Sequence, residues 1–150
     1  MIDMRFIKVI PVLVMIFALT SSKVDGQCKS FARRECLPEL GLYTHDGNYH
    51  AAVLFEGEEA ELYKTFYSDM DYRMVICGDS KLPPIEFVVI DADRNILYTN
   101  KDNNYSKSWD FKLQTSQQLK LIIKVRVSDQ STGTAPTSGC VSIMVGFKIK

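Results

Sequence analysis

The chain has 150 residues, with 18 basic and 18 acidic side chains balancing to no net charge when the histidines are neutral. It is the size of one domain and long enough to bury a core without help from a metal. It carries no basic run or stripe, so it lacks the electrostatic footprint of a nucleic-acid binder.

The first segment reads as a targeting signal. Arg5 and Lys8 precede the apolar run Val9–Leu19, which is too short to span a bilayer comfortably as a helix and ends in Thr20-Ser21-Ser22. The expectation is a signal peptide over 1–26, cleaved after Gly26, with Ser22 as the alternative. Residues 27–150 then form a single exported domain, secreted or periplasmic, with no membrane insertion after cleavage. Removing residues 1–26 takes away three basic and two acidic residues and leaves 15 and 16, a net charge of −1. The residue three before Cys28 is Asp25 rather than an apolar one, which argues against a lipid-modified cysteine.

All four cysteines, Cys28, Cys36, Cys77 and Cys140, lie in the exported part. An even count in an oxidising compartment predicts two disulfides, and the absence of a CxxC pair argues against zinc. Cys28–Leu40 (CKSFARRECLPEL) is the one helix-like stretch, ended or followed by Pro38. In one continuous helix Cys28 and Cys36 would sit about 12 Å apart along the axis and could not bridge; a bent turn would allow it.

After Gly41 the hydrophobic pattern changes to a period of two. Tyr49–Phe55, Glu59–Tyr67, Tyr72–Cys77, Ile85–Asp91, Ile96–Asn100, the Trp109/Phe111/Leu113 alternation, Leu119–Val127 and Val141–Ile149 read as strands. In the last two, Leu119, Leu121, Ile123, Val125 and Val127, then Val141, Ile143, Val145, Phe147 and Ile149, are expected to point inward. Ile85–Asp91 is apolar on both faces, as a central strand is. Ser131–Gly139 reads as the longest loop. About eight strands separated by turn residues, without interleaved helices, predict an all-β, antiparallel, jelly-roll-like sandwich with a short N-terminal helical segment and disulfide staples. If the strands holding Cys77 and Cys140 pair antiparallel, their ends meet, so a Cys77–Cys140 bridge is expected. In the chain-entropy picture it contributes about 3–4 kcal/mol.

Candidate chemistry is sparse. In IDADRNILYTNKD, Asp91, Asp93 and Asn95 occupy alternate positions of a twelve-residue span ending at Asp102, as calcium ligands do. Ile96 stands where such a loop has Gly and Asp102 where it has Glu, so a capped hairpin turn is the favoured reading and calcium the alternative cofactor. His45, Asp46 and His50 frame HDGNYH, either as metal ligands or as a loop leading into a strand. Glu56, Glu58, Glu59 and Glu61 offer carboxylates for glycosidase chemistry or form a solvated edge. No G-x-S-x-G elbow or H-E-x-x-H pair occurs, and no enzymatic activity is expected. Tyr98, Tyr105 and Trp109 are the candidate ligand-binding rings, since sugars stack on exposed aromatics; Trp109, sharing a face with Phe111 and Leu113, reads rather as core, which leaves Tyr105 in the loop as the better surface candidate. Asn104-Tyr105-Ser106 is a glycosylation sequon, meaningful in a eukaryotic host.

The stretch EGEEAELYKTFYSDMDYRMVICG, followed by IEFVVIDADRNILYTN, resembles the strand-and-hairpin pattern of exported bacterial β-sandwich modules. The pre-peptidase C-terminal type and jelly-roll carbohydrate-binding modules are the families it is similar to, along with small secreted proteins of Bacteroidetes. The resemblance covers Glu56–Val127 and implies a non-catalytic exported fold. This chain departs from those modules in carrying its own Cys-bearing N-terminal segment and no catalytic partner. The expected function is therefore a non-enzymatic binding or interaction module, with a polysaccharide or an envelope protein as partner. The alternatives are a structural or assembly component of the envelope working through strand edges, and a small hydrolase.

Overall fold

A computed structural model of the protein describes residues 24–129, 133 and 135–149. Most of the expected signal segment, and residues 131, 132 and 134 of the expected loop, lie outside the described residues. The chain begins with a helical segment in three parts: an α-helix α1 (Val24–Phe31), a π-helical turn (Ala32–Cys36) and a 3-10 turn (Leu37–Leu40) with Pro38 near its start. Proline suits that place because the first turn of a helix leaves N–H groups unpaired anyway. Among the described residues nine strands follow: β1 (Thr44–His45), β2 (His50–Phe55), β3 (Glu59–Phe66), β4 (Met70–Gly78), β5 (Ile85–Ile90), β6 (Ile96–Thr99), β7 (Ser108–Phe111), β8 (Gln117–Val125) and β9 (Ser138–Ile149).

The strands form two antiparallel sheets. Sheet A runs β2-β9-β4-β7, with the two-residue β1 also pairing with β9, and sheet B runs β3-β8-β5-β6. From β2 onward the chain changes sheet at every connection except the β5–β6 hairpin. This is the strand order of a jelly roll, in which interlocked Greek keys close one sheet over the other. The expected antiparallel sandwich is the observed fold.

The main core lies between the sheets. Leu119, Leu121, Ile123 and Val125 from β8, Val141, Ile143 and Val145 from β9, and Phe87 and Val89 from β5 are all buried there. Each set is spaced by two, because successive strand side chains point to opposite faces. Two residues expected inside are not. Val127 lies beyond the last β8 pairing, Ile85 with Val125, and is 59% exposed. Ile149 sits at the rim opposite Met70 and is 76% exposed. Both run past the end of the facing sheet, so nothing is left to cover them.

A second core lies on the outer face of sheet A, where Val75 and Cys77 of β4 and Met144 of β9 are buried against Ala32, Cys36 and Leu40 of the helical segment. Two disulfides pin that segment down: Cys28 to Cys140, and Cys36 to Cys77, with Cα separations of 5.2 and 5.8 Å. The expected Cys77–Cys140 bridge is thus corrected. The β4–β9 register places Cys77 opposite Ser142, two residues beyond Cys140, so both cysteines face outward on the same side of the sheet. Diagonal neighbours on a sheet face stand about 7–8 Å apart, beyond the usual reach of a disulfide, whereas a helix lying across them can meet each one. The question of a Cys28–Cys36 bridge is also settled, since each cysteine goes to the sheet rather than to the other.

Non-reducing peptide mapping should therefore recover Cys28 with Cys140 and Cys36 with Cys77. Replacing the Cys36–Cys77 pair by alanines opens a loop with a sequence separation of 41, and should lower unfolding stability by about 4 kcal/mol in denaturant titration.

Candidate functional site

A two-sheet sandwich has two flanks along which its sheets are not joined, and the residues that close them differ here. On the β6–β7 flank, the Tyr98 ring stacks on Trp109 with centroids 4.9 Å apart, and Trp109 stacks on Phe111 at 4.2 Å. Phe87 packs beside Tyr98 at 5.4 Å. Burial raises the Tyr98 phenol above its ordinary pKa, against the effect of a hydrogen bond with Ser106. Two of the three candidate rings, Tyr98 and Trp109, thus meet and pack against the main core. The third, Tyr105, stands apart with the Arg126 guanidinium 4.9 Å from its ring centre.

Behind this flank a buried side chain that sequence reading passed over, Asn100, holds the loop. Its Oδ1 accepts from the Phe87 N–H at 2.9 Å, and its Nδ2 donates to the Ile85 carbonyl at 2.8 Å. Its place at the end of a strand beside further Asn and Asp residues looked like ordinary turn composition.

The candidate calcium loop forms the β5–β6 turn. Asp91 Oδ1 accepts from the backbone N–H of Asp93 at 2.9 Å and of Asn95 at 2.8 Å, while Oδ2 accepts from Asn95 Nδ2 at 3.1 Å. These bonds, the Asn95 backbone first, hold the Asp91 carboxyl below the usual carboxylate range. The aspartate serves as a turn cap whose oxygens already face donors. Between this turn and sheet B lies a cleft of about 620 Å³ lined by Tyr63, Ile90, Arg94, Gln118 and Lys120.

The β2–β3 flank is closed by charge. The burial pattern of β3 puts Ala60, Leu62, Lys64 and Phe66 on its inner side. Lys64 is therefore an inward-pointing cation on an edge strand, a placement that deters pairing with foreign strands. Its Nζ lies 2.8 Å from Asp46 Oδ2 in the β1–β2 turn, joining sheet B to sheet A. The Asn48 N–H donates to Asp46 Oδ1 at 2.8 Å. His45 Nε2 lies 3.0 Å from the Asn48 carbonyl oxygen, so this nitrogen carries a proton, and 3.6 Å from Asp46 Oδ1. Burial works against ionisation of Asp46, but Lys64 and the Asn48 N–H outweigh it and hold the carboxyl below its ordinary pKa. His50 is pushed down, first by burial, then by Lys64 and His45, with the Asp46 charge opposing.

Of His45, Asp46 and His50, weighed as metal ligands against a loop leading into a strand, Asp46 has Lys64 as its cation. Among the described residues, no three His, Cys, Asp or Glu side chains converge to hold a metal ion. Sequence reading missed Lys64, although its place in the inner row Ala60-Leu62-Lys64-Phe66 was a legible break in the pattern.

Next to this clasp the flank stays open. A cleft of about 350 Å³ runs between the edges of β2 and β3, with Leu54, Ala60 and Leu62 as walls, Ile123, Val141 and Ile143 as floor, and His50 and Glu61 at its mouth. Among the described residues β2 pairs only with β9 and β3 only with β8, so both strands bordering it are sheet edges. Of the acidic cluster, Glu61 reaches the lining of this cleft. Glu61 pairs with Lys120 at 2.7 Å and Glu59 with Lys124 at 3.3 Å. Glu58 accepts from the Phe55 N–H and Glu56 from the Ser128 hydroxyl. Lys120 holds the Glu61 carboxyl below its ordinary pKa.

No family model matches the chain, and no curated protein does. Among solved structures it is similar to PliG of Aeromonas hydrophila, a periplasmic lysozyme inhibitor of g-type lysozyme, at 10% identity and a TM-score of 0.49, covering 71% of this chain and 89% of that one. At that distance the likeness carries no argument about function, and the reading below rests on this chain's own residues.

Two outcomes test the clasp. Lys64→Met leaves Asp46 buried without its counter-ion and should destabilise the fold by about 1–3 kcal/mol in urea titration. The double change Asp46→Asn with Lys64→Met should recover part of that loss. His50, with a folded-state pKa below that of the unfolded chain, takes up its proton more readily when unfolded. Stability is then full above about pH 6.5 and falls as the pH drops below it. The melting temperature of His50→Gln should decline less between pH 7 and pH 5 than that of the unsubstituted protein.

Proposed function

We infer that the protein is an exported, non-enzymatic binding module that engages a protein partner along the β2–β3 flank of its sandwich. The observation that carries this reading is the apolar cleft of about 350 Å³ lying open between two strand edges, beside an ionic clasp that holds the rest of the flank shut. Open edges bordering an apolar hollow are the parts from which strand-addition interfaces are built. Two disulfides fit an oxidising compartment. Among the described residues no helix is long and apolar enough to cross a membrane. The hydrolase alternative is poorly served by the acidic cluster: a general acid needs a raised pKa, whereas Glu61 is held low by Lys120.

A polysaccharide partner is the second reading, favoured by the cleft under the β5–β6 turn. There Tyr63, 54% exposed, stands beside Lys120, Gln118 and Arg94, a ring with polar groups around it.

A thermal-shift panel of the oxidised 27–150 domain against envelope proteins and envelope and plant polysaccharides separates these readings. The expected result is a raised midpoint with a protein partner and no turnover of glycosidic or peptide substrates. At a hundredfold excess over the dissociation constant the stabilisation is about 2.7 kcal/mol. A shift with a glycan alone, abolished by Tyr63→Ala, would replace the first reading with the second. Turnover lost in Glu61→Gln would sink both.

A further inference from the structure

We propose that the cleft between β2 and β3 receives an extended segment of the partner protein that carries one apolar side chain flanked by basic residues. This rests on the binding-module reading and specifies the chemistry of its partner. The cleft is apolar from walls to floor, and its shape follows from one small residue. Ala60 stands opposite Ile123 in the β3–β8 register, where a larger side chain would fill the hollow. The free edge of β3 offers its unpaired backbone groups to an added strand, and alternate residues of such a strand point inward. An added strand can run alongside Glu59–Leu62. It stops at Lys64, where the clasp to Asp46 occupies the space between the sheets.

Charge selects the flanking residues. On the outer side of β3, Glu59 and Glu61 neighbour the positions that the outward side chains of an added strand would occupy. Glu56 and Glu58 sit at the adjoining turn and, among the described residues, are met by a hydroxyl and a backbone N–H rather than by a cation. Lys120 and Lys124 balance only Glu61 and Glu59, so the rim stays acidic. An acidic rim repels a second copy of the same rim and the headgroups of anionic lipids, and it attracts lysine or arginine. A basic-apolar extended peptide meets the hollow, the edge and the rim together.

The test uses a blocked nine-residue peptide of threonine with lysine at every second position and a single central leucine. Its control has glutamate in place of lysine. Both are titrated into the oxidised 27–150 domain and followed by backbone amide shifts. The expected result is saturable binding of the lysine peptide with shifts centred on Ala60 and Leu62. Ala60→Leu, which fills the cleft, should weaken it by at least about tenfold, a loss of about 1.4 kcal/mol, while Lys112→Ala leaves it unchanged. Should Ala60→Leu fail to fold by circular dichroism, Leu62→Thr reads the same wall. No saturable binding, equal binding of the glutamate peptide, or an affinity indifferent to the cleft variants overturns the proposal. If a protein partner found in the panel binds Ala60→Leu as tightly as the unsubstituted domain, the module reading stands and the cleft reading falls.

Discussion

Strand β9 is the constraint on which the structure depends. It pairs with β4 along one edge and with β1 and β2 along the other, so sheet A exists only through it. It is also buried on both faces: Val141, Ile143 and Val145 look into the sandwich, while Ser142 and Met144 look out beneath the helical segment. Two-sided burial demands small residues where other elements cross. A Cβ on Gly146 would stand 2.7 Å from the Tyr43 Cβ, and one on Gly139 would stand 2.7 Å from the Asp79 Cβ. With Gly146 bare, Tyr43 lies against the strand, between the Lys148 ammonium at 4.2 Å and the Arg73 guanidinium at 4.7 Å. Arg73 in turn grips Asp110 of β7 through two hydrogen bonds of 2.7 and 2.8 Å. The link from helical segment to first strand is thereby fixed across the full width of sheet A.

The same two-sided burial explains what could and could not be read from the chain. Strands with one wet face announce themselves: in Leu119–Val127 the wet-face residues Lys120 and Lys124 marked the buried row Leu119, Leu121, Ile123 and Val125 of β8, although Val127 runs beyond it. β9 shows the same alternation, but Ser142 and Gly146 on its outer face look like solvent-facing residues. Nothing local reveals that a helical segment more than a hundred residues earlier covers them. The disulfide pairing failed for the same reason: it was argued from strand ends within the sheet, when the partners lay above it. The clasp was half legible. Asp46 and its histidines drew notice as a cluster, yet their counter-ion, Lys64, sits on a different strand and enters only when the sheets close. The aromatic flank was legible as apolar spacing on β7, whereas the stacking of Tyr98 on Trp109 depends on β6 and β7 meeting across the two sheets.

The unequal closing of the two flanks bears on where a partner can act. The β6–β7 flank is closed by the stacked, partly buried rings of Tyr98, Trp109 and Phe111. The outer face of sheet A is taken by the helical segment and its two disulfides. An ion pair closes a flank differently: it fixes two points and leaves the space beside them unfilled. With Lys64 and Asp46 drawing the edges of β2 and β3 together at one end, the small side chain of Ala60 leaves the neighbouring stretch open to solvent and lined with aliphatics. An uncovered apolar hollow lowers the stability of the free fold, since its lining lacks contacts on one side. A partner side chain that fills it recovers those contacts at the moment of binding. An edge that borders such a hollow therefore gains side-chain packing as well as backbone hydrogen bonds from an added strand.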